Sequence, residues 1–304
     1  MLDFNILKNC TLCPRKCGAD RASGKKGFCG ADNNIGAARC ALHFWEEPPV
    51  SGERGSGAVF FSNCPLKCVY CQNKKISAGG YGAEISVERL SEIFLELEAA
   101  GAHNINLVSP TQYAPHIVKT VRKAKQNGLT VPVVYNTGGY ELPEIINELK
   151  DTVDIYLTDF KYIDENSARK YSNCADYPYY AAKSLEQMVR QTGKPVFDED
   201  GIMKSGVIVR HLLLPGQLKQ AERIAKYLYR AYGNDIYLSL MSQYTPNEGV
   251  PEEISKRVDE SEYEKLIEYA SGLGIEQCFI QESGSADECY IPDFDLSGVI
   301  KKDL

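Results

Sequence analysis

The stretch Ala58-Val59-Phe60-Phe61-Ser62-Asn63-Cys64-Pro65-Leu66-Lys67-Cys68-Val69-Tyr70-Cys71 decides how this chain is read. Its first half, 58–62, is a short apolar run of the length and composition of a buried strand. Its second half spaces three cysteines as C-x3-C-x2-C on one loop. Thiolates set that closely can turn toward one centre and hold three irons of a [4Fe–4S] cube. The fourth iron then lacks a protein ligand, and an open coordination position is what separates a catalytic metal from a structural one. A structural zinc on the same thiols is the rival reading, but no fourth Cys or His follows nearby.

Downstream, short apolar runs alternate with amphipathic stretches. Runs at 104–109, 131–135, 153–157, 207–214 and 236–241 read as further strands, and 275–280 as a seventh or an edge strand. Val87, Leu90, Phe94 and Leu97 recur at helical spacing and stop before Gly101. Ile117, Val121 and Ala124 mark a second helix ended by Gly128, and Ile224 and Leu228 another ended by Gly233. The acidic stretch 252–270 reads as one more, carrying Ile254, Val258, Leu266, Ile267 and Ala270. This alternation predicts an α/β fold built on a parallel sheet. Six βα units fit a partial (β/α)6 barrel better than a closed eightfold one. Ligands of such sheets sit at the C-terminal ends of the strands. That rule nominates the segments 63–73, 109–111, 136–139, 158–161, 215–216 and 242–244.

Upstream, residues 1–55 are loop-rich and read as a small Cys-rich cap on a barrel spanning 56–304. Cys10, Cys13, Cys17 and Cys29 follow C-x2-C-x3-C-x11-C, a closed set of four thiolates. It suits tetrahedral zinc or an accessory iron–sulfur cluster equally well. Either would fold a cap that has few apolar residues of its own. Cys40, Cys174, Cys278 and Cys289 read as small buried apolar residues.

Eleven cysteines without a visible secretory signal argue for thiols kept reduced in an oxygen-poor cytoplasm, not for a disulfide framework. The formal charge of −7 makes a bare nucleic-acid binder a poor reading, since phosphate contact needs clustered Lys and Arg. No stretch approaches the roughly 20 apolar residues of a membrane span. Lys67, Lys74 and Lys75 flank the cysteine loop as a solvated edge or as a landing patch for an acidic electron donor such as a flavodoxin or ferredoxin. The four histidines read as packing or solvent-facing.

The cysteine loop, with Tyr70 in the aromatic place of C-x3-C-x-aromatic-C, resembles the radical S-adenosylmethionine (radical SAM) superfamily. The resemblance implies that the amino and carboxylate groups of SAM chelate the open iron. One electron then splits the sulfonium, and a 5′-deoxyadenosyl radical abstracts hydrogen. The runs 42–52, 101–107, 134–140, 153–161 and 209–216 are similar to the PflX group, named for its likeness to pyruvate formate-lyase activating enzymes, over nearly the whole chain. That resemblance makes Cys64, Cys68 and Cys71 the cluster ligands. It places Lys161 at the SAM carboxylate with Asp159 beside it, and turns Asn136, Thr137 and Gly138 toward the ribose. Tyr70, Ser109 and Thr111 complete the implied cofactor contacts. Ser109-Pro110-Thr111 stands where many relatives hold the SAM amino group with Gly-Gly-Glu, and 241–244 stands where activating enzymes carry a late His. The implied activity is hydrogen abstraction from a glycine of a glycyl radical enzyme, with radical modification of another peptide or a metabolite as the alternative. A zinc-bound interaction module without turnover is the reading from a different class.

Overall fold

A computed structural model of the protein describes residues 2–281 and 292–301. The strands are β1 (Ile35–His43), β2 (Ser56–Phe61), β3 (Ala83–Ile85), β4 (Ile105–Val108), β5 (Val133–Thr137), β6 (Ile155–Asp159), β7 (Val196–Phe197), β8 (Met203–Leu212), β9 (Tyr237–Met241) and β10 (Cys278–Ile280). The helices are α1 (Pro48–Ser51), α2 (Lys74–Ser77), α3 (Val87–Ala99), α4 (Ala114–Gln126), α5 (Pro143–Glu148), α6 (Glu165–Ser172), α7 (Tyr177–Thr192), α8 (Leu218–Tyr232) and α9 (Glu260–Leu273).

Strands β2, β4, β5, β6, β8 and β9 lie side by side in chain order, each parallel to the last. They are the six expected units. The sheet runs on through parallel β10 at one edge and antiparallel β1 and β3 at the other, so it is an open, partial barrel. β2 and β4 are buried at every residue, as strands covered on both faces must be. Helix α3 seats Leu90, Ile93, Phe94 and Leu97 on the sheet. Burial of each such side chain is worth about 1.5–3 kcal/mol, which holds the helix down. Ser86 caps the start of α3 by accepting from the Arg89 amide. Helix α8 does the same with Ala221, Ile224, Ala225 and Leu228.

Several boundaries differ from the sequence reading. β5 begins two residues later than expected, beyond Pro132, which has no N–H to give a sheet ladder. Asn136 and Thr137 therefore end a strand instead of following one, and so do Thr158 and Asp159 in β6. The expected helix over 252–270 is a single 3-10 turn at Glu252–Ile254 and then α9, whose start is capped by Asp259. Within the stretch read as loop-rich, 35–43 form β1, paired with β2. Helices α5, α6 and α7 had no counterpart in the reading. Cys40 and Cys174 are buried and Cys278 is half-buried, while Cys289 lies outside the described residues. Among the described residues no helix is long and apolar enough to cross a membrane.

Candidate active site at the strand ends

The chain leaves β2 through Asn63, which adopts a left-handed conformation (φ 74°), a region where Asn is among the better-tolerated residues. Lys67 makes a second left-handed turn between Cys64 and Cys68 (φ 49°). These two reversals fold the cysteine loop over the end of the strand. The buried Gln112 amide fixes the place by donating to the carbonyls of Ser62, Asn63 and Ser109 at 3.0, 3.1 and 2.8 Å. Hydroxyls then address two of the sulfurs. Ser172 donates to Cys68 Sγ at 2.9 Å and Ser77 to Cys71 Sγ at 3.3 Å. Burial pushes the free Cys64 thiol up to about 12, so a metal bound there would displace its proton. Tyr70 is buried behind the loop, its hydroxyl accepting from Tyr162 at 2.8 Å.

All three thiols line a cavity of about 370 Å³ at the C-terminal end of the parallel strands, a volume within the usual range for small-molecule sites. Ser109, Asn136, Thr137, Gly138, Asp159 and Lys161 line the same cavity. Lys161 pairs with Asp159. Burial works against the Lys161 charge, but Asp159 outweighs it and holds the amine well above its ordinary range. Tyr177 ties two strand ends together, donating to the Gly138 and Asp159 carbonyls and accepting from the Lys161 amide at 2.9 Å. Gly139 (φ 79°) must be glycine, because a Cβ would stand 2.2 Å from the Asp159 carbonyl oxygen. Thr111 is set apart from this group. It is buried and turned toward Glu141 instead of the cavity. The cap cysteines also lie outside the cavity wall.

Two groups were not singled out from the sequence. Arg210 on β8 reaches into the cavity and is clamped by both Glu46 and Glu47, all three side chains being nearly buried. Asn106 and Asn136 donate to the free Glu46 oxygen at 2.8 and 3.4 Å. Burial pushes the Glu46 carboxyl up, and the Arg210 guanidinium reverses that, leaving it below its usual range. The only sequence signal was a pair of glutamates before Pro48-Pro49, which names no partner.

The second is Glu141, fully buried, accepting from the hydroxyls of Thr111 and Thr137. Burial raises it from an ordinary 4.5 to about 7, against those two hydrogen bonds. A carboxyl with a raised folded pKa holds its proton more tightly in the native state. Its contribution to stability is therefore complete below about 4.5 and is lost as pH rises through 7. The shift corresponds to about 3 kcal/mol. Glu141→Gln should remove that slope: denaturant midpoints of wild type fall between pH 5 and pH 8 by more than those of the variant. Parallel pH profiles would show that Glu141 ionises normally.

Residues 58–228 match the Radical SAM superfamily model. The chain belongs to the radical SAM superfamily. The match begins in β2 and ends within α8, so it takes in the cysteine loop, Asp159–Lys161 and Arg210. An uncharacterized protein of Methanocaldococcus jannaschii is 29% identical over 283 residues, covering 90% of this chain and 77% of that protein. Among solved structures, a radical SAM methyltransferase from Sphaerobacter thermophilus superposes with a TM-score of 0.53 at 16% identity, covering 76% of this chain and 68% of that one. Streptococcus suis SuiB bound to S-adenosylmethionine gives 0.50 at 12% identity over 73% of this chain. The chain spans about half the length of SuiB (48%). At these identities the structures show a shared fold.

Membership of the radical SAM superfamily implies a [4Fe–4S] cluster and SAM, and it favours an enzyme over a non-catalytic zinc module. The residues present fit both groups. Three soft thiolate donors face one cavity, with hydroxyls hydrogen-bonding two of them, as tuned iron–sulfur ligands require. A half-buried ammonium–carboxylate pair in the same cavity offers complementary charge to a zwitterionic amino acid.

Proposed function

We propose that Cys64, Cys68 and Cys71 hold the [4Fe–4S] cluster, and that the enzyme takes a hydrogen atom from a backbone glycine of a protein partner, in the manner of an activating enzyme. The supporting observation is that the three thiols and the Asp159–Lys161 pair share one cavity at the strand ends. When bound, the cluster would supply the electron for reductive cleavage of SAM. The protein's own residues bind and orient. Lys161 meets the methionine carboxylate as a compact point charge, with Asp159 holding its ammonium in place. Ser109 and the Asn136–Thr137–Gly138 turn face the nucleoside. Tyr177 fixes two of these strand ends against each other.

A polypeptide substrate is supported by the rim. Trp45 lines the cavity yet is 62% exposed, and its neighbour Phe44 is exposed as well. Large apolar side chains at a cavity mouth suit contact with another chain. The sheet is open, which gives a loop room to enter. Lys74 and Lys75 are exposed beside the cysteine loop and would receive an acidic flavodoxin or ferredoxin. The test uses a glycyl radical enzyme grown with dideuterated glycine. Deuterium should appear in 5′-deoxyadenosine formed by the reduced protein with SAM. Formation of 5′-deoxyadenosine without label would reject glycine as the hydrogen source.

A further inference from the structure

The four cap cysteines come together on a path of tight turns. The Lys16 amide donates to the Cys13 carbonyl and the Gly18 amide to the Cys10 carbonyl, each at 3.0 Å. Lys16, Gly18 and Gly30 are all left-handed. Gly27 lies between Cys17 and Cys29, since a Cβ on it would stand 3.3 and 3.6 Å from their sulfurs. The Ala31 amide, two residues on from Cys29, donates to its sulfur at 3.5 Å.

A charge stands beside them. Arg21 is fully buried. It donates to Cys10 Sγ at 3.7 Å, to the Asp32 carbonyl at 2.7 and 3.0 Å and to the Gln112 carbonyl at 2.8 Å. Among the described residues no carboxylate pairs with it. A guanidinium taken out of water without an anion is strongly unfavourable. The atoms on hand that can carry negative charge are the thiols, and they do so when they ligate a metal.

We propose that Cys10, Cys13, Cys17 and Cys29 bind one zinc ion, and that this zinc site braces the loop carrying Cys64, Cys68 and Cys71. Zinc is favoured over a second cluster because the thiols crowd a small space, with the single missing Cβ of Gly27 all that would stand between the Cys17 and Cys29 sulfurs. A tetrahedral ion with Zn–S near 2.3 Å holds its sulfurs about 3.8 Å apart, whereas a cube spreads its thiolates over separate irons. Four thiolates around Zn²⁺ leave a surplus of negative charge, which Arg21 and the Ala31 amide offset. Among the described residues no three Cys, His, Asp or Glu side chains already converge at ligand spacing. Side-chain rotation on loading completes the set, here as at the catalytic loop.

The brace is visible as contacts from between the cap ligands to between the loop ligands. Arg15 donates to the Pro65 carbonyl at 3.0 Å and to the Ser172 and Asn173 carbonyls. Ser172 is the residue that donates to Cys68 Sγ. Phe28 stacks under the Arg15 guanidinium at 4.2 Å and meets the Lys67 ammonium at 5.5 Å. Gly30 backs onto Asn63 so closely that a Cβ would stand 2.6 Å from Oδ1. The bracing, unlike the zinc itself, rests on the cluster assignment above.

Full-length protein purified without air from zinc-supplemented medium should hold about one zinc per chain, with an X-ray absorption shell of four sulfurs near 2.3 Å. Cys13→Ser/Cys17→Ser should lose that zinc, and Cys64→Ala/Cys71→Ala should keep it while losing iron. Zinc and iron are counted separately, so failure at one site is distinguishable from failure at the other. Absence of zinc, a shell containing nitrogen or oxygen, or extra iron in its place would overturn the proposal, and the wild-type spectrum decides this even if the double variant misfolds. Arg15→Ala, which leaves all seven ligands, should keep zinc but surrender iron to a chelator about fivefold faster. An unchanged rate would overturn the brace.

Discussion

Cys68→Ala should leave the fold intact and abolish the chemistry. Cys68 is buried at the centre of its loop, flanked by Cys64 and Cys71 and hydrogen-bonded to Ser172. On the proposed ligation, removing its sulfur would leave two anchors for a cube that needs three. Iron per chain should drop by most of the cluster's share, and reductive cleavage of SAM should fall by about a thousandfold or more, equivalent to about 4 kcal/mol of barrier. Cys174→Ala is the matched control. It too is buried and lies within electrostatic reach of Cys68, but it does not line the cavity that the three cysteines share. It should keep its iron and its activity. Circular dichroism of both variants should match wild type, and equal iron in the Cys68 and Cys174 variants would remove Cys68 from the ligand set.

Arg210→Ala should cost the most in stability. The guanidinium is the only cation paired with Glu46 and Glu47 among the described residues, and both carboxylates are nearly buried. Deleting one partner of a buried charge group leaves the others uncompensated, which costs about 3–5 kcal/mol. The urea midpoint should move accordingly. Arg210→Met combined with Glu46→Gln and Glu47→Gln should recover much of the loss, because the uncompensated charge goes with the pair. A drop below about 1 kcal/mol for Arg210→Ala would mean that water reaches these carboxylates.

The parallel core was legible because each of its strands carries a short run rich in Val, Ile, Leu, Phe or Tyr, and helices α3, α4 and α8 each show one apolar face. β1 was missed for a physical reason. Its sequence from Ile35 to His43 is rich in Ala, with little of the β-branched or aromatic character that marks strands, and its pairing with β2 carries it. Helix α7 opens on Tyr177-Pro178-Tyr179-Tyr180, which reads as strand or turn until Pro178 is seen in the first turn, where its missing N–H costs nothing. At the site, the cysteine loop and the Asp159–Lys161 pair were readable because their spacing is local. Glu46, Glu47 and Arg210 meet only across the folded sheet, over more than 160 positions of chain. No local pattern announces such a meeting. Thr111 illustrates the converse: its place after β4 was right, but its side chain turns to Glu141, and only the structure shows that.

Incubating the iron-loaded, dithionite-reduced protein with SAM in the absence of air, and measuring 5′-deoxyadenosine, tests the proposed chemistry directly. Formation of the nucleoside together with equimolar methionine is the predicted result. A protein that carries four irons on its Cys64 loop, binds SAM and yet releases neither product would contradict the account.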